Sequence, residues 1–359
     1  AIFAICAVRP MSICAADMPL PVALTMGEPA GIGGEIALKA WLAREADNVP
    51  PFFMIDDPDR LTALARHLDW PVCAIPICSP EEALDAFVHG PPVLARPLAT
   101  ACVPGSPDPA HAGAVIASID DAVDFVVAGR ASALVTNPIH KLTLSKAGFR
   151  HNGHTDYLAE LAGDGSNAVM MLACAGLRVV PLSVHIALRD SIAAVTKAAI
   201  VAVTRTTIDA LRHDFGIADP HVVVSGLNPH AGEGGTMGRE EIEIIAPAVE
   251  QLQQAGLSVR GPAPADSLFH EAARAGYDAA VCMYHDQALI PVKTVDFRAA
   301  VNITLGLPFV RTSPDHGTAF EIAGTGVAHA YSLIAALKMA AAIAARRKAG
   351  TPHHEPAGV

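Results

Sequence analysis

Three histidines share one context in this chain. His185 closes the apolar run Val179 to Val184, His230 follows His221 to Ser225, and His285 follows Ala279 to Met283. Neutral imidazoles that leave coordination positions open on a zinc-like ion are the pattern of a catalytic metal site rather than a structural one. The chain has 16 histidines, so three behind apolar runs also fit residues that cap strand ends or bind anions. Lys293 and Arg311, with Asn302 between them, form a second group. Their apolar flanks, Leu289-Ile-Pro-Val and Pro308-Phe-Val, ask for a partner such as a bound phosphate or carboxylate. In Gly153-His-Thr155, His154 and Thr155 precede a helix and read either as an anion site at its N-terminus or as an ordinary cap.

The elements that must carry these residues alternate. Pro21 to Thr25, Phe52 to Ile55, Val72 to Cys78 and Ala133 to Thr136 read as strands. Glu35 to Glu45, Pro58 to Leu68 and Gly113 to Val127 read as helices, and Pro91 to Asp108 as a proline-rich loop with one short strand. This βα alternation predicts an α/β fold with a mostly parallel sheet covered by helices on both faces. The middle differs: Asn167 to Cys174 and Arg178 to His185, separated by Ala175-Gly-Leu177, predict an antiparallel hairpin. Ile192 to Phe215, Arg239 to Gln254, Ser267 to Ala275 and Val327 to Lys348 read as helices. His221 to Ser225, Ala279 to Met283 and Val301 to Leu305 read as strands, and Phe309 to Gly317 as a polar loop.

Two glycine-rich loops follow strands. Met26-Gly-Glu-Pro-Ala-Gly-Ile-Gly-Gly34 could point free amides at an anion, or could be a tight structural turn. It is neither a GxGxxG fingerprint nor a P-loop. Gly226-Leu-Asn-Pro-His-Ala-Gly-Glu-Gly-Gly235 carries His230. Its glycines permit positive φ and close backbone approach to a ligand. Glu233 could support His230, start the next helix, or be a solvated acid.

The 359 residues suffice for two domains, and 52% hydrophobic against 17% charged residues argues for a large core. A net charge of -11 argues against a nucleic-acid binder. Seven cysteines without a CxxC pair fit a reduced, cytoplasmic protein with buried thiols. Residues 1–20 read as an N-terminal extension, with Arg9 behind the apolar run rather than before it. No stretch reads as a transmembrane helix.

The motifs in combination point further. Ser313-Pro-Asp-His-Gly-Thr-Ala-Phe-Glu-Ile-Ala-Gly324 resembles the HGSAxDIAG stretch that holds the adenosine of NAD or NADP in isopropylmalate and isocitrate dehydrogenases, which lack a Rossmann GxGxxG. Met26 to Gly33, Gly153-His-Thr155, Gly226 to Gly235, Gly261-Pro-Ala-Pro-Ala-Asp266, Met283-Tyr-His-Asp-Gln287 and Arg311 to Thr318 together resemble the 4-hydroxythreonine-4-phosphate dehydrogenase (PdxA) family of pyridoxal phosphate biosynthesis. Glu28 and Gly34 depart from that family's usual GDPAGIGPE, and Ala288 from its HDQG. Neither change removes a ligand.

The resemblance implies a two-domain isocitrate/isopropylmalate dehydrogenase-like α/β fold. The expected division is 21–137 plus 300–359 as one domain and 138–299 as the other, which carries most metal ligands and the dimer interface. It implies a divalent metal (zinc, magnesium or cobalt) on His185, His230 and His285, shared across a homodimer interface. It implies a phosphorylated small-molecule substrate on His154, Thr155, Lys293, Asn302 and Arg311, and NAD or NADP at His316, Gly317, Thr318 and Ala319. Lys293 is the candidate proton acceptor, with Asp266 and Asp286 as rivals. Related enzymes oxidise D-erythronate or D-threonate 4-phosphate, or a terephthalate-derived cis-dihydrodiol. A metallohydrolase using the three histidines with Glu233, and a non-catalytic metal or phosphate binder, are the readings from other classes.

Overall fold

Aliphatic residues at successive positions suit strands buried on both faces, because neither side has to meet water. In the computed structural model, which describes residues 20–151, 153–163 and 167–350, the apolar runs become such strands. They are β1 (Val22–Thr25), β2 (Phe52–Asp56), β3 (Ile75–Ile77), β4 (Pro92–Ala95), β5 (Leu134–Val135) and β6 (Val169–Cys174), then β7 (Leu177–Pro181), β8 (Val222–Ser225), β9 (Val259–Ala263), β10 (Ala279–Cys282), β11 (Val301–Leu305) and β12 (Arg311–Pro314). All join one sheet in the order β3-β4-β2-β1-β5-β12-β11-β6-β7-β10-β8-β9.

Pairing is parallel toward both ends of the sheet. It is antiparallel through the centre, β12-β11-β6-β7, with β6 and β7 forming the expected hairpin. Strand direction therefore reverses between β1-β5-β12 and β7-β10-β8, and the antiparallel centre is where loops from the two sets can meet. The strands leading to the three histidines, β7, β10 and β8, are adjacent and mutually parallel, so their carboxyl ends share one edge. Phe52, Met54, Val180, Val224, Val281, Ile303 and Leu337 lie in the largest apolar cluster, which continues from one half to the other.

Several expectations change. Phe309 to Gly317 is not all loop: Arg311–Pro314 is β12, between β5 and β11. Its polar sequence hid it, because these side chains are buried by hydrogen bonding rather than apolar contact. Thr312 Oγ1 donates to the Ala336 carbonyl at 2.9 Å. Ile192 to Phe215 is two helices, Leu188–Ala194 and Lys197–His213, the second capped by Thr196 Oγ1, which accepts from the Ala199 amide. Arg239 to Gln254 opens as a π-turn, Glu241–Ile245, before the α-helix Ala246–Gln254; Pro247 lacks the amide an α-helix would bond back to Glu243. Ser267 to Ala275 is helical only at Glu271–Arg274. Strand β9 and the helix Ala83–His89 had no clear pattern in the sequence. Among the described cysteines none is disulfide-bonded, but only Cys282 is buried; Cys73 and Cys78 are exposed. Residues 1–19 of the extension lie outside the described residues. No single helix among the described residues is long and apolar enough to cross a membrane.

Candidate active site

The site begins with a charge. Arg311 heads β12 and is only 4% exposed. Its guanidinium donates to Thr136 Oγ1 from Nε (3.2 Å) and Nη2 (2.7 Å), and to Thr304 Oγ1 from Nη1 (2.9 Å). Neighbouring strands thus hold it in place with neutral acceptors, and among the described residues no carboxylate pairs with it. Burial pushes its pKa down to about 10, yet it stays protonated at neutral pH. A buried cation without a counter-ion is costly, so the space it faces favours an anion.

That space is a cleft of about 420 Å³. Arg311, His154, Thr155, Lys293 and Asn302 all line it, as do His185 and His285. His154 and Thr155 open the helix His154–Leu161, whose N-cap, Gly153, has no side chain to satisfy the first amides. His154 Nε2 and Asn302 Oδ1 are buried without hydrogen-bond partners. Burial, followed by the charges of Arg311 and Lys141, holds His154 well below the ordinary imidazole range and so neutral. Unpaired polar atoms beside an unpaired cation make this a cleft shaped to accept a polar, anionic ligand.

Two of the three metal-candidate histidines meet here. The rings of His185 and His285 have centroids 6.1 Å apart. Burial, then Lys141 and His285, lower the His185 pKa, which favours the neutral form that binds metals. His285 Nδ1 lies 2.7 Å from Asp286 Oδ1, which fixes the ring and leaves Nε2 for a ligand. His230 does not line this cleft; it is exposed, with its Nδ1 3.2 Å from Glu233 Oε2. Glu233 therefore supports its histidine in the way Asp286 supports His285. Among the described residues no three His, Cys, Asp or Glu side chains of one chain form a metal-holding group.

The loop bearing His230 is under unusual backbone constraint. His230, Ala231, Gly232, Glu233 and Gly234 all have positive φ, between 43° and 79°. For the three non-glycine residues that conformation is unfavourable and needs support. Glu241, 3% exposed, supplies it: its Oε1 accepts the amides of Leu227 (2.8 Å) and Asn228 (2.7 Å). Gln287 ties the neighbouring strand exits, accepting from Ser225 Oγ and the Met283 amide at 2.7 Å each and donating to the Gly226 carbonyl at 2.8 Å. One glutamine thus braces both the His230 and the His285 loops.

The remaining candidates divide. Lys293 Nζ is 3.1 Å from Asp315 Oδ2 inside the cleft. Burial raises the Asp315 carboxyl pKa, a rise the nearby Lys293 partly offsets. Asp286 is engaged with His285, and Asp266 lies exposed on a 3-10 turn, Ala265–Ser267, that does not line the cleft. His316 and Gly317 line the cleft, whereas Thr318 and Ala319 turn away toward the first glycine-rich loop. The Thr318 carbonyl accepts the Ile32 amide at 3.0 Å. Amides 28, 30, 31 and 32 of that loop are all satisfied within the chain, so these four do not face an anion. Glu35 completes the contact by accepting the amides of Gly324 and Gly326. Lys141, Asp315 and the anchors Glu241 and Gln287 join the site without having stood out in the sequence. Asp315 and Gln287 stood inside quoted motifs, but an acid beside a lysine 22 positions away leaves no local signature.

Comparison with known proteins identifies the family. A family model described as pyridoxal phosphate biosynthetic protein PdxA matches residues 49–340. A 4-hydroxythreonine-4-phosphate dehydrogenase of Bradyrhizobium diazoefficiens is 52% identical over 337 residues, covering 91% of this chain and 98% of that protein. The crystal structure of a 4-hydroxythreonine-4-phosphate dehydrogenase from Klebsiella pneumoniae superposes with a TM-score of 0.81 at 36% identity, over 90% of this chain and 99% of that one. A terephthalate 1,2-cis-dihydrodiol dehydrogenase from Burkholderia xenovorans gives 0.61 at 30% identity, over 90% and 98%. The family match covers most of the chain, residues 49–340, and the chain belongs to the PdxA family.

Proposed function

We propose that this chain is an NAD(P)-dependent, divalent-metal-dependent 4-hydroxythreonine-4-phosphate dehydrogenase that works as a homodimer. It oxidises the C3 hydroxyl of 4-phosphooxy-L-threonine to 2-amino-3-oxo-4-phosphooxybutanoate, which loses carbon dioxide to give 3-amino-2-oxopropyl phosphate. Arg311 carries this reading. A buried guanidinium without a carboxylate, beside unpaired His154 Nε2 and Asn302 Oδ1, supports a phosphoryl group as the missing partner. The names of the relatives supply the rest of the substrate. The change to antiparallel pairing at β12-β11-β6-β7 supports a cleft between two domains, 21–137 with 300–359 and 138–299.

His185 and His285 of one chain, with His230 of a second copy, would hold the divalent metal. Imidazoles whose Nδ1 is steadied by Asp286 and Glu233 suit it. His316, Gly317, Thr318 and Ala319 would receive the nucleotide. When bound, the metal would act as Lewis acid on the substrate oxygen and the nicotinamide would accept the hydride. Arg311, His154, Thr155 and Asn302 orient the substrate through its phosphate. Lys293 passes its ammonium proton to Asp315 Oδ2, whose raised pKa makes it a better acceptor than an ordinary aspartate, and the amine so freed takes the hydroxyl proton. Asp266 and Asp286 are less suited, the first by position and the second by its bond to His285.

The test is NADH or NADPH formation with 4-phosphooxy-L-threonine, D-erythronate 4-phosphate, D-threonate 4-phosphate and a terephthalate cis-dihydrodiol measured side by side. The first should have the highest kcat/KM. Preference for another would move the chain to a sister activity, and turnover of an ester or amide without nucleotide would make it a hydrolase.

A further inference from the structure

Lys141 is a cation of this cleft to which none of the preceding roles was given. It begins the helix Lys141–Lys146 directly after β5 and its exit loop, and its side chain is exposed. It lines the 420 Å³ cleft and also a neighbouring cavity of about 1170 Å³, so it stands on the wall the two share. Its ammonium lies over Gly153: a Cβ built on Gly153 would be 3.3 Å from Lys141 Cε and 3.7 Å from Nζ. That spot is the uncapped N-terminus of the helix His154–Leu161, where backbone amides face outward. Among the described residues no carboxylate lies within 4.0 Å of the ammonium. Lys141 is also close enough to His154 to oppose its protonation, together with Arg311.

A lysine over a helix N-terminus puts like charges together, which costs free energy unless an anion lies between them. The same cleft wall already carries unpaired Arg311 and the buried, unpartnered His154 Nε2. We propose that Lys141 is a second anion-binding cation of the site, closing over the phosphoryl group that Arg311 and the His154–Thr155 helix terminus receive from the other side. This inference rests on the phosphorylated-substrate reading above. Gly153 belongs to it, because a Cβ there would meet the end of the lysine side chain at 3.3 Å.

The experiment compares the full-length wild type with Lys141→Gln and Lys141→Arg, using inorganic phosphate as probe. Phosphate affinity is read by calorimetry or thermal shift, and KM and kcat by nucleotide reduction. K141Q should bind phosphate about tenfold more weakly and raise KM for the phosphorylated substrate similarly, with kcat within about twofold. K141R should recover most of both, and the salt dependence of KM should flatten in K141Q. Equal phosphate affinity in wild type and K141Q, or a wild type that binds no phosphate, would overturn the proposal. The phosphate arm needs no turnover, so a chain that binds phosphate through Lys141 but oxidises another substrate would refute only the substrate assignment.

Discussion

Lys293 Nζ and Asp315 Oδ2 stand 3.1 Å apart, and the two residues come from different elements of the fold. Lys293 sits in the helix His285–Val295, which begins with a metal-candidate histidine. Asp315 follows β12, and its amide donates to Ser332 Oγ of the C-terminal helix at 3.0 Å. The ion pair spans the cleft and gives the lysine a fixed direction. Asp315→Asn should lower kcat by roughly ten- to a hundredfold with little change in KM. Burial raises the Asp315 carboxyl pKa, so in the wild type kcat should fall on the acid side as that carboxylate protonates, above the usual aspartate range. The limb should disappear in D315N. A pH–rate profile of the variant that retains it would remove Asp315 from proton transfer.

Arg311→Met separates binding from folding. The variant removes a buried charge that has no counter-ion, so unfolding free energy should stay within about 2 kcal/mol of wild type or rise. KM for a phosphorylated substrate should rise by about a hundredfold, and phosphate should no longer raise the melting temperature. Denaturation with and without phosphate checks both halves.

His154 predicts the sign of an acid effect. Its folded pKa is depressed, by burial first and then by Arg311 and Lys141, whereas the unfolded value is about 6.5. Above that pH both states are neutral. Below it the unfolded chain takes up a proton that the folded chain refuses, so stability is lost as pH falls from about 6.5 toward the folded value. His154→Asn should show a shallower loss between pH 7 and 5 in thermal melts. An unchanged slope would mean that His154 is not the group responsible.

A site shared between copies predicts complementation. His230→Ala and His285→Ala homodimers should each be inactive. The mixture after subunit exchange should regain roughly a quarter of wild-type activity, because half its dimers are mixed and each of those carries one intact site of two. No recovery, with exchange verified by mass, would place all three histidines on one chain's site.

Much of this was legible in the sequence for a physical reason. β7, β8 and β10 are apolar runs, and a histidine after each is visible whatever the tertiary structure. That their carboxyl ends share an edge follows from a parallel sheet, but the order β7-β10-β8 that makes them neighbours does not. β12 was not legible, since Arg311-Thr-Ser-Pro looks like a loop until Thr136, Thr304 and Ala336 satisfy it. The role of the first glycine-rich loop could not be settled locally either, because its Ile32 amide is taken by Thr318, 286 residues away. Glu233 could be read three ways until its carboxylate was seen beside His230 Nδ1.

The most direct measurement is nucleotide reduction by the purified wild type with 4-phosphooxy-L-threonine, before and after chelation. The account predicts NADH or NADPH formation, loss of it with chelator, and recovery on adding zinc, magnesium or cobalt. Undiminished turnover in the chelated enzyme, or no reduction of either nucleotide with metal present, would contradict it.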